Sequence, residues 1–124
     1  MSVTSDSRIV VSALRSAIGV GGWLAPIAAG RLFGIDARKD VSAALYLRMG
    51  ATRDFALAAG PFVTTGKSRK RMLMIGAACD IGDIVAVLIA HRGGKISRTG
   101  TGAFVAASLA CLAFSAKAHA EVDD

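Results

Sequence analysis

A chain of 124 residues, 53% apolar and 19% charged, with mean hydropathy +0.52 and formal net charge +6, has room for one domain and no second. The apolar content excludes intrinsic disorder, and two cysteines cannot staple a fold of this length.

Crossing about 30 Å of hydrocarbon takes roughly 20 mainly apolar residues, and four stretches qualify in chain order. The first, about residues 9–30, is interrupted only by Arg15. This interruption and the length of the run distinguish it from a removable leader, whose apolar core is about 7–15 residues. The second, about 43–65, contains Arg48, Arg53 and Asp54; the third, about 72–90, contains Asp80 and Asp83; the fourth, about 99–116, carries no charge. The connectors expected between them, Arg31 to Ser42, Gly66 to Arg71 and His91 to Arg98, are short, which makes successive helices antiparallel neighbours. Neither Ser2 nor the terminal Asp123-Asp124 fits a lipidation signal.

None of the four stretches alternates polar and apolar residues, and alanine favours helix over strand. The fold class expected is therefore all-α: a multi-pass integral membrane four-helix bundle with antiparallel up-down topology, a single domain over residues 1–124. A soluble alanine-rich bundle would need a broad polar face on every helix, and the fourth stretch offers only Thr, Ser and Gly. Basic residues fall equally on the two sides, so the positive-inside rule gives no strong orientation. The Lys67-Ser68-Arg69-Lys70-Arg71 cluster favours cytoplasmic termini. The positive charge reads as two collars on anionic headgroups of the lipid bilayer, not as a nucleic-acid surface.

Membrane helices approach one another through small residues. Ala17, Gly21, Ala25 and Ala29 in the first stretch, and Ala103, Ala107 and Cys111 in the fourth, recur at intervals of four, with Gly50 and Gly76 in the other two. Pro26 and Pro61 should kink their helices. Trp23 reads as core or lipid-facing filler, and Cys79 and Cys111 as small buried hydrophobes. His91 is assigned to a connector and His119 to the tail; neither has a partner at ligand spacing, so no metal or cofactor is expected.

The informative residues are the charges inside the spans: Arg15, Arg48 and Arg53 against Asp54, Asp80 and Asp83, summing to zero. Intramembrane charges are costly and turn toward partners inside the bundle. At about 100° per residue, Tyr46, Gly50, Arg53, Asp54 and Gly60 share one side of the second helix, with Arg48 on the other. Gly76, Asp80, Asp83 and Val87 form one stripe on the third. Depth and phase predict a buried network pairing Arg15 with Asp80 and Arg53 with Asp83. Such a network can simply fix helix register. It can also line a midplane pocket in which the arginines receive an anionic or carbonyl group and a carboxylate exchanges protons.

The run Arg31-Leu32-Phe33-Gly34-Ile35, followed by Tyr46-Leu47-Arg48-Met49-Gly50-Ala51-Thr52-Arg53-Asp54, resembles a family of small four-span membrane proteins of unknown function from bacteria and fungi, near the DoxX-like group. That family carries a short turn after the first span, a G-x-R-D type motif in the second and acidic residues in the third. Here Gly50, Arg53 and Asp54 answer to the motif, with one residue more after the glycine, and Asp80 and Asp83 to the acidic pair. The resemblance implies a four-helix bundle in the bacterial cell membrane and hands over no catalytic assignment.

Three functions follow from the charged belt. The first is an accessory or binding protein whose belt, Arg15, Arg53, Asp54, Asp80 and Asp83, holds a small amphipathic ligand or docks a membrane partner or a second copy. The second is a cofactor-free enzyme acting on a lipid-soluble substrate, with Asp54, Asp80 or Asp83 as acid or base and Tyr46 as hydroxyl donor. No dinucleotide, phosphate-loop or Cys/His metal motif is present to widen that chemistry. The third is a proton or ion pathway in a homo-oligomer.

Overall fold

The computed structural model describes residues 7–33, 35, 36, 38–94 and 96–122. Gly34 of the Arg31 to Ile35 turn, Lys95 of one basic collar, Ser2 and the terminal Asp123-Asp124 lie outside the described residues. Those described form five α-helices and no strand: α1 (Ser7–Leu24), α2 (Pro26–Leu32), α3 (Val41–Val63), α4 (Gly66–Arg92) and α5 (Arg98–Ala120).

The first expected span is thus two helices. Ala25 leaves helical geometry at φ −136° and ψ 61°, and Pro26 opens α2 at a position where its missing N–H costs nothing. Pro61, by contrast, stays inside the last turn of α3. Arg69 donates from Nε to the Pro61 and Thr64 carbonyls at 2.7 and 3.0 Å, satisfying oxygens that the end of α3 would otherwise leave open.

The second connector is far shorter than expected, because Lys67 to Arg71 belong to α4. Hydropathy reports where a helix stops being apolar, not where it stops. At 27 residues α4 is about 40 Å long, so its basic first turns extend past an apolar body. Gly66 makes the sharp entry possible with φ +52°, a backbone region that side chains disfavour. Likewise α5 runs to Ala120 and takes in His119, while His91 sits in the last turn of α4. Asp40 caps α3 through the amides of Ser42 and Ala43, and Ser97 caps α5 through that of Gly100.

Side-chain contacts fix the directions. Ser12 on α1 donates to the Ala58 carbonyl on α3 at 2.8 Å, whereas Gly22 lies against Leu47 and Ala51, so α1 and α3 run antiparallel. Gly60 meets Met72 and Arg53 meets Asp83, which makes α3 and α4 antiparallel as well. Ser7, opening α1, gives its amide and hydroxyl to the Glu121 carboxylate at 3.0 and 2.8 Å, tying the start of α1 to the end of α5. This acid also sits where the helix dipole favours negative charge. α1 packs mainly on α3 and α4 on α5, with α1–α5 and α3–α4 contacts joining the two pairs.

The close-packed face of α1 is not the stripe at intervals of four. Ala17 and Ala25 are exposed, and nothing lies within 4 Å of a Cβ placed on Gly21. Gly19 and Gly22, three apart, make the approach instead. A Cβ on either would stand 3.2–3.3 Å from a carbonyl oxygen of α3. The backbone of α3, and not the spacing of small residues along α1, selects the face that is packed.

Several polar side chains lie inside, and many large apolar ones lie outside. Ser7, Ser12, Arg15, Asp80, Thr101, Ser108 and Ser115 are buried, while Val63, Leu24 and Ile89 are exposed to 81%, 79% and 66%. Along α4 the residues Met74, Ile75, Ile81, Val85, Leu88 and Ile89 all face outward on one side, a strip roughly 23 Å long. Two helices, α4 and α5, are long and apolar enough to cross a membrane. Arg15 interrupts the apolar run of α1, and Arg48, Arg53 and Asp54 interrupt that of α3.

Candidate functional site

Both ion pairs expected from depth and phase are formed. Arg15 donates from Nη1 and Nη2 to Oδ1 and Oδ2 of Asp80 at 2.9 and 2.7 Å, and its Nη2 also reaches the Ser115 hydroxyl at 3.3 Å. Three helices therefore meet at one guanidinium. Gly76 makes the space for it: a Cβ there would stand 2.9 Å from Arg15 Nη2. With side-chain exposures of 4% and 5%, this pair is sealed.

The second pair has the same fork geometry, Arg53 Nη1 and Nη2 to Asp83 Oδ1 and Oδ2 at 3.1 and 2.5 Å. It is not buried, however; the side-chain exposures are 43% and 23%. The expectation of a wholly buried network is corrected here. Arg53 shares with Gly60 the side of α3 that meets α4, and its guanidinium reaches Asp83 there.

Arg48 does not join the belt. Its Nε donates to the Trp23 carbonyl at 3.2 Å and its guanidinium lies 5.7 Å from the centre of the Trp23 ring. Trp23 in turn donates from Nε1 to the Thr52 hydroxyl at 2.9 Å, so this residue is half-exposed and anchored by a polar contact.

Beside the pairs lies a partly open cavity of about 340 Å³, at the lower end of the range of small-molecule sites. Every candidate site residue lines it: Arg15, Tyr46, Arg53, Asp54, Asp80 and Asp83. Small residues open the space, since Gly22, Gly50, Ala51 and Ala107 present almost no side chain to it. A Cβ on Gly50 would meet nothing within 4 Å. At the far end α2 and the turn after it contribute Ala29, Phe33 and Ile35. Phe33 packs edge-on to Phe104 of α5, ring centres 5.2 Å apart, and closes that wall. Sequence reasoning missed α2 as a wall; the Pro26 break that turns it across the bundle was the available signal.

Asp54 stands apart from the other acids. It lines the cavity within electrostatic reach of both pairs. Among the described residues its carboxylate makes no hydrogen bond or ion pair. The cavity therefore has two guanidinium groups against three carboxylates, and the neutral sum that included Arg48 does not hold there. Cys111 contributes its thiol to the wall, and among the described residues no three His, Cys, Asp or Glu side chains converge to hold a metal ion. His91 is occupied elsewhere, its Nδ1 lying 3.0 Å from the Ile96 carbonyl and 3.1 Å from the Thr101 hydroxyl.

No protein-family model, curated protein or solved structure matches this chain.

Proposed function

We propose that this is a small multi-pass membrane protein, a bundle of four antiparallel membrane-crossing segments (α1 with α2, α3, α4 and α5), whose interior cavity binds a small amphipathic ligand. The observation that carries this reading is a charged, partly open cavity inside a body that exposes many large apolar side chains. In a water-soluble protein the most apolar helices are mostly buried, whereas only 22% and 28% of the most apolar windows of α4 and α5 are covered. Lipid supplies the missing cover and also explains why Arg15 and Asp80 turn inward to each other. The likeness of Gly50, Arg53 and Asp54 to the motif of the small four-span membrane family supports the same architecture.

An enzyme is the second reading, favoured by one observation. Asp80 and Asp83 are held by arginines, so Asp54, with the Tyr46 hydroxyl lining the same cavity, is the one belt acid not already engaged among the described residues.

Two measurements test the proposal. Alkaline carbonate washing of membranes should leave the protein in the pellet, and its release would contradict membrane insertion. Native mass spectrometry after mild detergent extraction should find a small molecule on the wild type that is lost in Gly50→Leu, a variant that adds a side chain to the cavity wall where a Cβ meets nothing within 4 Å. Identical ligand-free spectra for the two proteins would contradict the binding role.

A further inference from the structure

We infer that the cavity takes a lipophilic organic cation, a protonated or quaternary amine on a small apolar body, with Asp54 as its counter-ion; this rests on the cavity being a ligand site at all. The charge inventory of the walls points that way. Arg15 and Arg53 each close with both outer nitrogens on an aspartate, and Arg48, which would balance the third carboxylate, is turned away onto Trp23. One negative charge is left facing a cavity of about 340 Å³. In surroundings poorer than water at screening charge, an occupant of opposite sign is favoured strongly over a neutral one.

The rest of the wall suits an organic cation better than an inorganic one. Hard metal ions need six or more oxygen ligands, and the acids here are dispersed, two of them already engaged by arginine. Tyr46, Phe33 and Phe104 instead supply aromatic rings, the groups that attract ammonium cations. Ile18 and Leu47 supply the apolar contact for the remainder of the molecule. An anion would meet three carboxylates with both arginines already occupied, and a neutral ligand would leave Asp54 uncompensated. The order of affinity is therefore cation, then neutral isostere, then anion.

The test uses three probes of one shape: benzyltrimethylammonium, its uncharged carbon isostere neopentylbenzene, and phenylmethanesulfonate. Binding to the full chain in nanodiscs of zwitterionic phosphatidylcholine is measured by calorimetry or saturation-transfer magnetic resonance. The ammonium should bind the wild type at least ten-fold more tightly than the isostere, and the sulfonate more weakly than either. Asp54→Asn should reduce the ammonium to the level of the isostere while leaving the isostere unchanged, which also shows that the variant is folded. Gly50→Leu should lose both. Equal binding of ammonium and isostere by the wild type overturns the cation inference and leaves the cavity as a site for neutral molecules. A preference that survives in Asp54→Asn overturns Asp54 as counter-ion. Failure of all three probes overturns the inference outright, and the mass-spectrometric comparison of wild type and Gly50→Leu then decides whether the binding role falls with it. The three-probe comparison on the wild type stands even if a variant does not fold.

Discussion

Two ion pairs of identical chemistry hang from one helix. Asp80 and Asp83, three residues apart on α4, each take an arginine fork, yet the first pair is 4% and 5% exposed and the second 43% and 23%. Position decides the difference. Arg15 projects from α1 between α4 and α5, over the gap left by Gly76, and Ser115 shares its donors. Arg53 projects from α3 across the mouth of the cavity. The sealed pair is a joint among three helices, and the open one is part of the wall of the cavity. A salt bridge by itself says little about role; what surrounds it says more.

Breaking the sealed joint should have the largest effect. Arg15→Ala or Asp80→Ala leaves an uncompensated charge inside the bundle and should lower unfolding free energy in bicelles by about 3–5 kcal/mol, read by thermal or denaturant melting. Crowding the joint instead of cutting it should cost less: Gly76→Ala forces its new methyl against the Arg15 guanidinium, for about 1–3 kcal/mol. At the open pair, Arg53→Ala should cost about 1 kcal/mol or less, while speeding exchange of a cavity-bound probe because the mouth widens. Smallest of all, Arg48→Gln should cost under about 1 kcal/mol for the Trp23 contact and leave cavity binding unchanged. A change in cavity binding on altering Arg48 would return that residue to the belt and rebalance its charge.

Much of this comparison was legible in the sequence. A charge inside an apolar helix turns toward a partner, helical phase puts Arg53 and Asp54 on one side of α3, and depth brings Asp80 level with Arg15; both pairings follow from those constraints. What could not be read was degree. Phase says that Arg53 points inward but not that the helices part there, because the width of the gap depends on small residues on three other helices. The charge balance was misread for a related reason. Arg48 counts equally in composition, and only the position of Trp23 on the neighbouring helix shows where its guanidinium goes. Helix starts fell within two residues of the expected ones at Val41 and Arg98, and were illegible at Gly66, where hydropathy falls although the helix has begun. The break at Ala25–Pro26 was foreseen as a kink; its consequence, a short helix walling a cavity, needed the packing of Phe33 on Phe104.

The central claim is that opposite charges on neighbouring helices neutralise one another inside a bundle that exposes many large apolar side chains. A double-mutant cycle on Arg15→Met and Asp80→Leu, measured by unfolding in bicelles, tests it most directly. Each single change should destabilise strongly and the double change by clearly less than their sum, with a coupling of about 2–3 kcal/mol. Strictly additive effects, with the double variant as unstable as the two singles combined, would contradict it.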